Sequence, residues 1–317
     1  MIDPSATLRQ GLLGIGRRGV VRRTFERAQV GRSVAHRFVA GDTIADCVPV
    51  VAERVGAGRF ATVTLLADEP QDTAEAVRIR DTHLTALRAL TEAGLTAGGR
   101  TDVLLRLEDL GWALGDDGPK FAFDSALQIA AAAAGTGATI TLEAGDHTTA
   151  DATLAAARDL RADFPSVGVG LHAQLLRTEA DCRNQAASAG RVRLSRIGYF
   201  EPKSVSWQGN HQIDRSYIRC LKLLIESPAH PVIATDDLQL IEIAHALADK
   251  ELRTPDSFEF ELPLGGDPEV QRRHIEAGHR LRILVPYGDQ WYPYVMRRVA
   301  EHPAAARPHA RPETPKG

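Results

Sequence analysis

Apolar residues recur along this chain in two alternating rhythms. Short runs rich in Val, Ile and Leu stand at FATVTLLA (60–67), DVLLRL (102–107), ATITLE (138–143), VGVGLH (167–172), VRLS (192–195), PVIAT (231–235), FEFEL (258–262) and LRILV (281–285). Between them lie stretches of helical period, among them DTAEAVRIRDTHLTALRALTEAG, TADATLAAARDLRADF, DLQLIEIAHALADK and DPEVQRRHIEAG. Brief, near-continuous apolar runs read as strands covered on both faces, and the longer amphipathic stretches read as the helices that cover them. Eight such units closing on themselves make an α/β fold, the (β/α)8 TIM-type barrel, with a doubly wound open sheet as the alternative. Residues 1–58 read as an N-terminal helical segment with turn signals near Gly41 and a helix over 43–55. Residues 59–303 form the barrel, and 304–317, rich in Pro, Ala and charge without period, read as a disordered tail.

Composition narrows the class of function. The chain has 317 residues, 44% of them hydrophobic, enough for the core of one large domain. A formal net charge of -3 gives no basic footprint for nucleic acid, and no window approaches ~18 uninterrupted apolar residues, so no transmembrane segment is expected. The arginines of MIDPSATLRQGLLGIGRRGVVRR follow its apolar stretch, the reverse of a signal peptide, which makes the cytoplasm the expected location. Cys47, Cys182 and Cys220 are scattered and odd in number, as buried thiols rather than a disulfide framework or a zinc site.

Several motifs fail their physical tests. GIGRRG (14–19) has the spacing of a dinucleotide fingerprint, but no strand precedes it, so it reads as a loop between helices. His147, His172 and His211 lack the spacing of a metal site, GDHTT reads as a loop into a helix capped by Thr148 or Thr149, and no G-x-S-x-G elbow is present. Chemistry-bearing residues gather instead at the carboxyl ends of the strands, where barrels of this kind carry their sites: Arg106, Glu143, His172, Arg193, Arg196, Asp236 and Glu261. Such a ring suggests an electropositive pocket for an acidic small molecule and a phosphate-bearing cofactor, since guanidinium pairs carboxylate and phosphate in bidentate geometry.

From HRFVAGDTIADCVPV to RILVPYGDQWYPYVMRRVAE the chain resembles the proline dehydrogenase family, flavoenzymes built on a distorted (β/α)8 barrel. FVAGDT, DATL, HAQLLRTEAD and FEFELPLG are the most specific pieces. The resemblance implies FAD as cofactor and a small anionic amine or amino acid as substrate. It implies that Arg297 and Arg298 hold the substrate carboxylate, assisted by Arg106, and that Tyr294 and Tyr199 line the pocket. Arg193 would lie near the reactive nitrogen of the flavin, with Glu301 also on the cofactor.

The departures from the family pattern are as informative. Arg106 and Glu143 stand for a lysine and an aspartate, a double change that would preserve an ion pair. His172 replaces a glutamine under the flavin, and SRIGY carries Arg196 and Ile197 where the family has lysine and glycine, ahead of Gly198. Asp236, after Thr235, replaces a histidine near the cofactor's phosphates or ribose. Leu284 replaces a tyrosine that closes over the proline ring, and Pro263 a leucine beside it, changes that would admit a substituted or larger amine. The implied reaction is hydride transfer from the carbon next to nitrogen to flavin, with a quinone, or less readily oxygen, as electron acceptor. A quinone acceptor is compatible with peripheral membrane contact. The competing reading is a non-catalytic descendant that binds an anionic metabolite or a partner protein.

Overall fold

The computed structural model describes residues 35–199 and 201–301. The GIGRRG loop, the segment before residue 35 and the tail from 302 onward lie outside the described residues. A helix, α1 (Ile44–Gly56), precedes eight parallel strands, each followed by a helix: β1 (Phe60–Leu65), α2 (Thr73–Glu92), β2 (Thr101–Leu105), α3 (Gly118–Thr136), β3 (Thr139–Glu143), α4 (Ala150–Leu160), β4 (Gly168–His172), α5 (Thr178–Ala186), β5 (Arg191–Ser195), α6 (Asn210–Ile225), β6 (His230–Ala234), α7 (Leu238–Lys250), β7 (Glu259–Pro263), α8 (Pro268–Glu276), β8 (Arg280–Tyr287) and α9 (Trp291–Glu301). The strands close in chain order, and β8 pairs back onto β1 from Phe60 opposite Arg282 to Leu65 opposite Tyr287.

Local chemistry explains the element boundaries. Thr43 and Asp46 form a reciprocal capping box that starts α1. Asp72, Asp237 and Asp267 cap α2, α7 and α8 by accepting from backbone N–H groups of the first turn. Cys47 and Val51 of α1 join the same core as the barrel strands. Thr149 does occupy the cap position of α4, yet its hydroxyl does not cap the helix; it donates to Glu108 on the neighbouring loop.

Period-2 alternation sorts each strand into two sets. One set, including Val103, Ile140, Leu142, Val192, Leu194 and Ile283, packs in the apolar core with the helices. The other faces the barrel interior, as its bonds reveal by joining strands that are not neighbours. Thr62 of β1 donates to Glu261 of β7 at 2.7 Å, and Arg191 of β5 reaches Glu259 of β7 at 3.3 Å. Lowest in the barrel, Arg282 is 0% exposed and donates through Nε to Glu259 at 2.6 Å, through Nη1 to the Ala61 carbonyl at 2.6 Å and through Nη2 to that of Gly99 at 3.1 Å. Burial pushes the Glu259 carboxyl up, but Arg191 and Arg282 hold it well below its ordinary value. Branched aliphatic layers usually fill such an interior. Here a network of ion pairs replaces much of them, and breaking one member of a buried pair typically costs about 3–5 kcal/mol.

Candidate active site

One layer higher, three strands converge on one guanidinium. Arg193 of β5 donates through Nη1 to Glu143 of β3 at 2.5 Å, and through Nε and Nη2 to Glu261 of β7 at 2.8 and 2.6 Å. Burial disfavours the charge on Arg193, yet Glu261 and Glu143 raise its pKa above the ordinary value. Burial also pushes Glu143 up, while Arg193, then His172 and Arg297, bring it below its ordinary value. The glycines of VGVGLH make this crossing possible: a Cβ on Gly170 would lie 2.7 Å from a carboxylate oxygen of Glu143. His172, at the end of β4, lies between Ser195 Oγ at 2.6 Å from Nδ1 and the Glu143 carboxylate at 3.6 Å from Nε2. Its ring packs flat enough against the next loop that a Cβ on Gly198 would come within 2.6 Å of it.

The rim differs from the sequence-based expectation in two respects. Arg106 and Glu143 do not form a pair. Arg106 is held in bidentate fashion by Asp109, Nε at 2.7 Å and Nη2 at 2.6 Å, while Nη1 donates to the Tyr199 hydroxyl. The turn after β2 returns Asp109 to Arg106 only three residues on, and Arg193 has already claimed Glu143 from across the barrel. Burial pushes Asp109 up to about 6, with Arg106 opposing the rise. The second difference is electrostatic. Arg196 pairs with Asp214 at 2.5 Å and Arg298 with Asp236 at 2.6 Å, so among the described residues four of the five arginines around the mouth carry carboxylate partners and the charges there come close to balance.

Arg297 is the exception. It donates to the Gly198 carbonyl at 2.8 Å, and its guanidinium carbon lies 5.3 Å from the Tyr199 ring centroid and 5.7 Å from that of Tyr294. No carboxylate of the described residues lies within ion-pair distance of it. Tyr199 is thus shared, with Arg106 5.6 Å from its centroid and His172 edge-on at 6.4 Å. These contacts bring Arg106, His172, Arg193, Gly198, Tyr199, Tyr294 and Arg297 into one connected cluster with Glu143.

Other expected residues sit around its edge. Leu284 of β8 is half-buried and pairs in register with Pro263 of β7, so the two substituted positions flank each other on the interior face. Thr235 is buried after β6 and its hydroxyl accepts from the Asp237 N–H at 3.2 Å, at the start of α7. Ile197 is half-buried in the loop that presents Gly198. Glu301 ends α9, and its side chain lies outside the described residues.

Sequence reasoning missed Asp109 and the loop-tying pair Glu201 and His147. Glu201 is buried and accepts from the His147 backbone at 2.9 Å while its other oxygen meets the imidazole Nδ1 at 2.6 Å, joining the loop after β3 to that after β5. An acid three residues beyond the strand-end Arg106 was a readable signal for Asp109; a contact between residues 54 apart left none. Among the described residues no group of side chains could hold a metal ion, and no helix is long and apolar enough to cross a membrane.

A closed parallel barrel whose carboxyl face carries a cationic cluster is the architecture of an α/β-barrel enzyme. The profile of a family described as proline dehydrogenase matches residues 201–309. Among similar sequences, Proline dehydrogenase 1 of Bacillus subtilis (strain 168) is 29% identical over 282 residues, 89% of this chain and 91% of the relative. Proline dehydrogenase of Deinococcus radiodurans is 28% identical, over 86% of this chain and 88% of the relative. The crystal structure of proline utilization A (PutA) from Bdellovibrio bacteriovorus inactivated by N-propargylglycine superposes with a TM-score of 0.78 at 17% identity, covering 86% of this chain. The chain spans only 33% of the length of that protein, and the likeness is one of fold. Over most of its length the chain is thus similar to proline dehydrogenases, a flavin-dependent family of oxidoreductases, and residues 201–309 match that family's profile.

Proposed function

We propose that this protein is an FAD-dependent dehydrogenase that removes a hydride from the carbon next to nitrogen in proline or a related secondary amino acid. The observation that carries this reading is Arg297, a guanidinium presented between two aromatic faces with no carboxylate partner among the described residues. A substrate carboxylate supplies the missing anion through charge-assisted hydrogen bonds. Tyr199 and Tyr294 fix the direction of that guanidinium, and Arg106 holds Tyr199 by its hydroxyl. Loss of hydride from a neutral amine leaves an iminium, so the protein is asked mainly to clamp, orient and exclude water.

The donor set fits the cofactor. Arg193, fixed by two carboxylates, and His172, fixed by Ser195 and packed on Gly198, offer rigid polar groups for a flavin ring. Arg196 and the hydroxyl of Thr235 suit its phosphates and ribose, with Asp236 as the opposing charge. When bound, the flavin supplies the hydride acceptor. We assign re-oxidation to a quinone and the enzyme to the cytoplasm, where three free, buried cysteines are in keeping with a reducing compartment.

Leu284 and Pro263 set the substrate range in this reading. Two aliphatic side chains in register leave the pocket wall without a phenol, so ring-substituted or N-modified amino acids should reduce the flavin faster than L-proline. The purified protein should show flavin absorption bands that bleach anaerobically with such amines, and Leu284→Tyr should shift preference toward L-proline by ~10-fold or more, the scale of a packing difference of 1–3 kcal/mol. A protein that takes up no FAD defeats the cofactor assignment. Efficient L-proline oxidation by the wild type, with no gain in Leu284→Tyr, defeats the open pocket and leaves plain proline oxidation.

A further inference from the structure

The turn after β2 is built to hold one carboxylate still. Leu107 and Leu110 are fully buried on either side of Asp109, the Leu107 carbonyl accepts from the N–H groups of Leu110 and Trp112, both at 3.1 Å, and Gly111 reverses the chain at a φ of 94°. Glu108 fastens the same turn to the loop after β3 by accepting from the Gly145 N–H at 2.7 Å. Asp109 itself is 5% exposed, and its two oxygens take the Nε and Nη2 edge of Arg106 at 2.7 and 2.6 Å. A guanidinium gripped along one edge by a fixed carboxylate has its plane fixed as well. Its third nitrogen, Nη1, is thereby aimed at one place, and that place holds the Tyr199 hydroxyl, 93 residues further along the chain. Tyr199 in turn stands against Arg297, whose guanidinium carbon is 5.3 Å from the ring centroid, and against His172, edge-on at 6.4 Å.

We propose that Asp109 is a positioning residue for the reaction at this site: through Arg106 it fixes the Tyr199 ring against which Arg297 is seated. The inference rests on the proposed function and deepens it, because Arg106 then serves the reaction through a phenol rather than as an arm of the anion clamp, each of its three nitrogens being already engaged. Asparagine at 109 keeps the size of the side chain but offers one acceptor oxygen and turns an NH2 group toward a donor. One of the two bonds to Arg106 is lost, the guanidinium plane is released, and the Tyr199 oxygen loses its fixed donor. Arg297 keeps the Gly198 carbonyl at 2.8 Å and the Tyr294 ring at 5.7 Å, so the anion seat survives while the wall beside it moves. Loss of Asp109 is therefore felt in the rate of hydride transfer more than in the affinity for the substrate.

Two readouts on the full chain test this. The chain has five tyrosines, so isotopic labelling of the tyrosine ζ-carbons gives a small set of NMR signals, and Tyr199→Phe identifies the one that belongs to Tyr199. Asp109→Asn should move that signal, which follows hydrogen bonding at the hydroxyl, and leave in place that of Tyr217, whose hydroxyl donates to the Leu194 carbonyl. Anaerobic flavin reduction by L-proline and by hydroxyproline then separates rate from affinity: Asp109→Asn should lower the limiting rate about 10-fold or more and change the apparent Kd by less than about threefold. Tyr199→Phe should lower the rate comparably, and Asp109→Asn/Tyr199→Phe should be no slower than Tyr199→Phe to within about twofold, because the two residues act in one line. An unmoved Tyr199 signal in Asp109→Asn overturns the inference, and so do losses that multiply in the double variant or a loss confined to Kd. Should Asp109→Asn fail to fold with Arg106 left unpaired, Arg106→Lys keeps the charge pair but lacks the planar fork. The same displaced signal and slower reduction are expected there, and an unmoved Tyr199 signal is equally fatal. A wild type whose flavin neither amino acid reduces sinks the proposed function instead, and the ζ-carbon signal, which needs no turnover, still decides what Asp109 does.

Discussion

At the scale of single residues, the site depends on two close approaches that only glycine permits. Gly170 lets Glu143 lie across β4 to meet Arg193, and Gly198 lets the His172 ring rest against the loop after β5. Gly198→Ala places a methyl carbon about where the imidazole stands, 2.6 Å from its Cδ2. Overpacking of this kind typically costs ~1–3 kcal/mol. Urea unfolding should show a loss of that size, and His172→Ala in the same chain should recover part of it; equal losses in single and double variants would mean the ring is not what the methyl meets. The charged residues themselves were legible in sequence, because a strand-end position and a charge are both local facts. Their partners were not: Arg106 and Glu143 looked complementary across adjacent strands, yet each found a better-placed ion, Asp109 by a short turn and Arg193 from two strands away.

At the scale of elements, α7, α8 and β7 meet in a cluster of rings. His274 of α8 lies 4.1 Å from Phe260 and 5.4 Å from His245 of α7, and His279, just before β8, lies 4.7 Å from His245. Burial, then the neighbouring His245 and His279, lowers the His274 pKa to about 4. Burial lowers His245 and His279 as well, against the pull of Glu242 and Asp249 on the first and Asp249 on the second. An unfolded histidine binds its proton near pH 6.5, whereas the folded His274 binds it only near 4. Stability contributed by the neutral ring is therefore whole above pH 6.5 and is lost as the pH falls from there toward 4. Thermal midpoints should decline across that interval, and less steeply in His274→Phe, which keeps the stacking on Phe260. An unchanged slope in that variant would exonerate His274. Eight apolar runs announced the eight strands within a residue or two at most ends, since branched residues without polar interruption suit a strand covered on both sides. Period-2 charge in RVRLS, EFELP and RLRILVP also encoded which side chains enter the barrel, a signal hidden when such runs are read simply as apolar.

At the scale of the whole molecule, closure does most of the assembling. Strand order fixes which charges can cross the interior, so Arg282 with Glu259 at the lower end and Arg193 with Glu143 and Glu261 above form stacked ionic layers. The upper layer leaves Arg297 on α9 as the guanidinium of the mouth without a carboxylate among the described residues. That a barrel would form was readable from the count and alternation of elements. That most of the described arginines at its mouth would have carboxylate partners was not, because Asp109, Asp214 and Asp236 lie on three different loops and helices that only the closed fold brings to the arginines. The proposed function requires Arg297 to be the anion seat beside a bound flavin. Anaerobic reduction of the flavin by a secondary amino acid, followed over a range of concentrations in wild type and Arg297→Met, measures this directly. The expected result is an apparent Kd raised ~10- to 150-fold, the 1.5–3 kcal/mol of a charge-assisted hydrogen bond, with the same variant indifferent to the amide of the same amine. An unchanged Kd in Arg297→Met would contradict it.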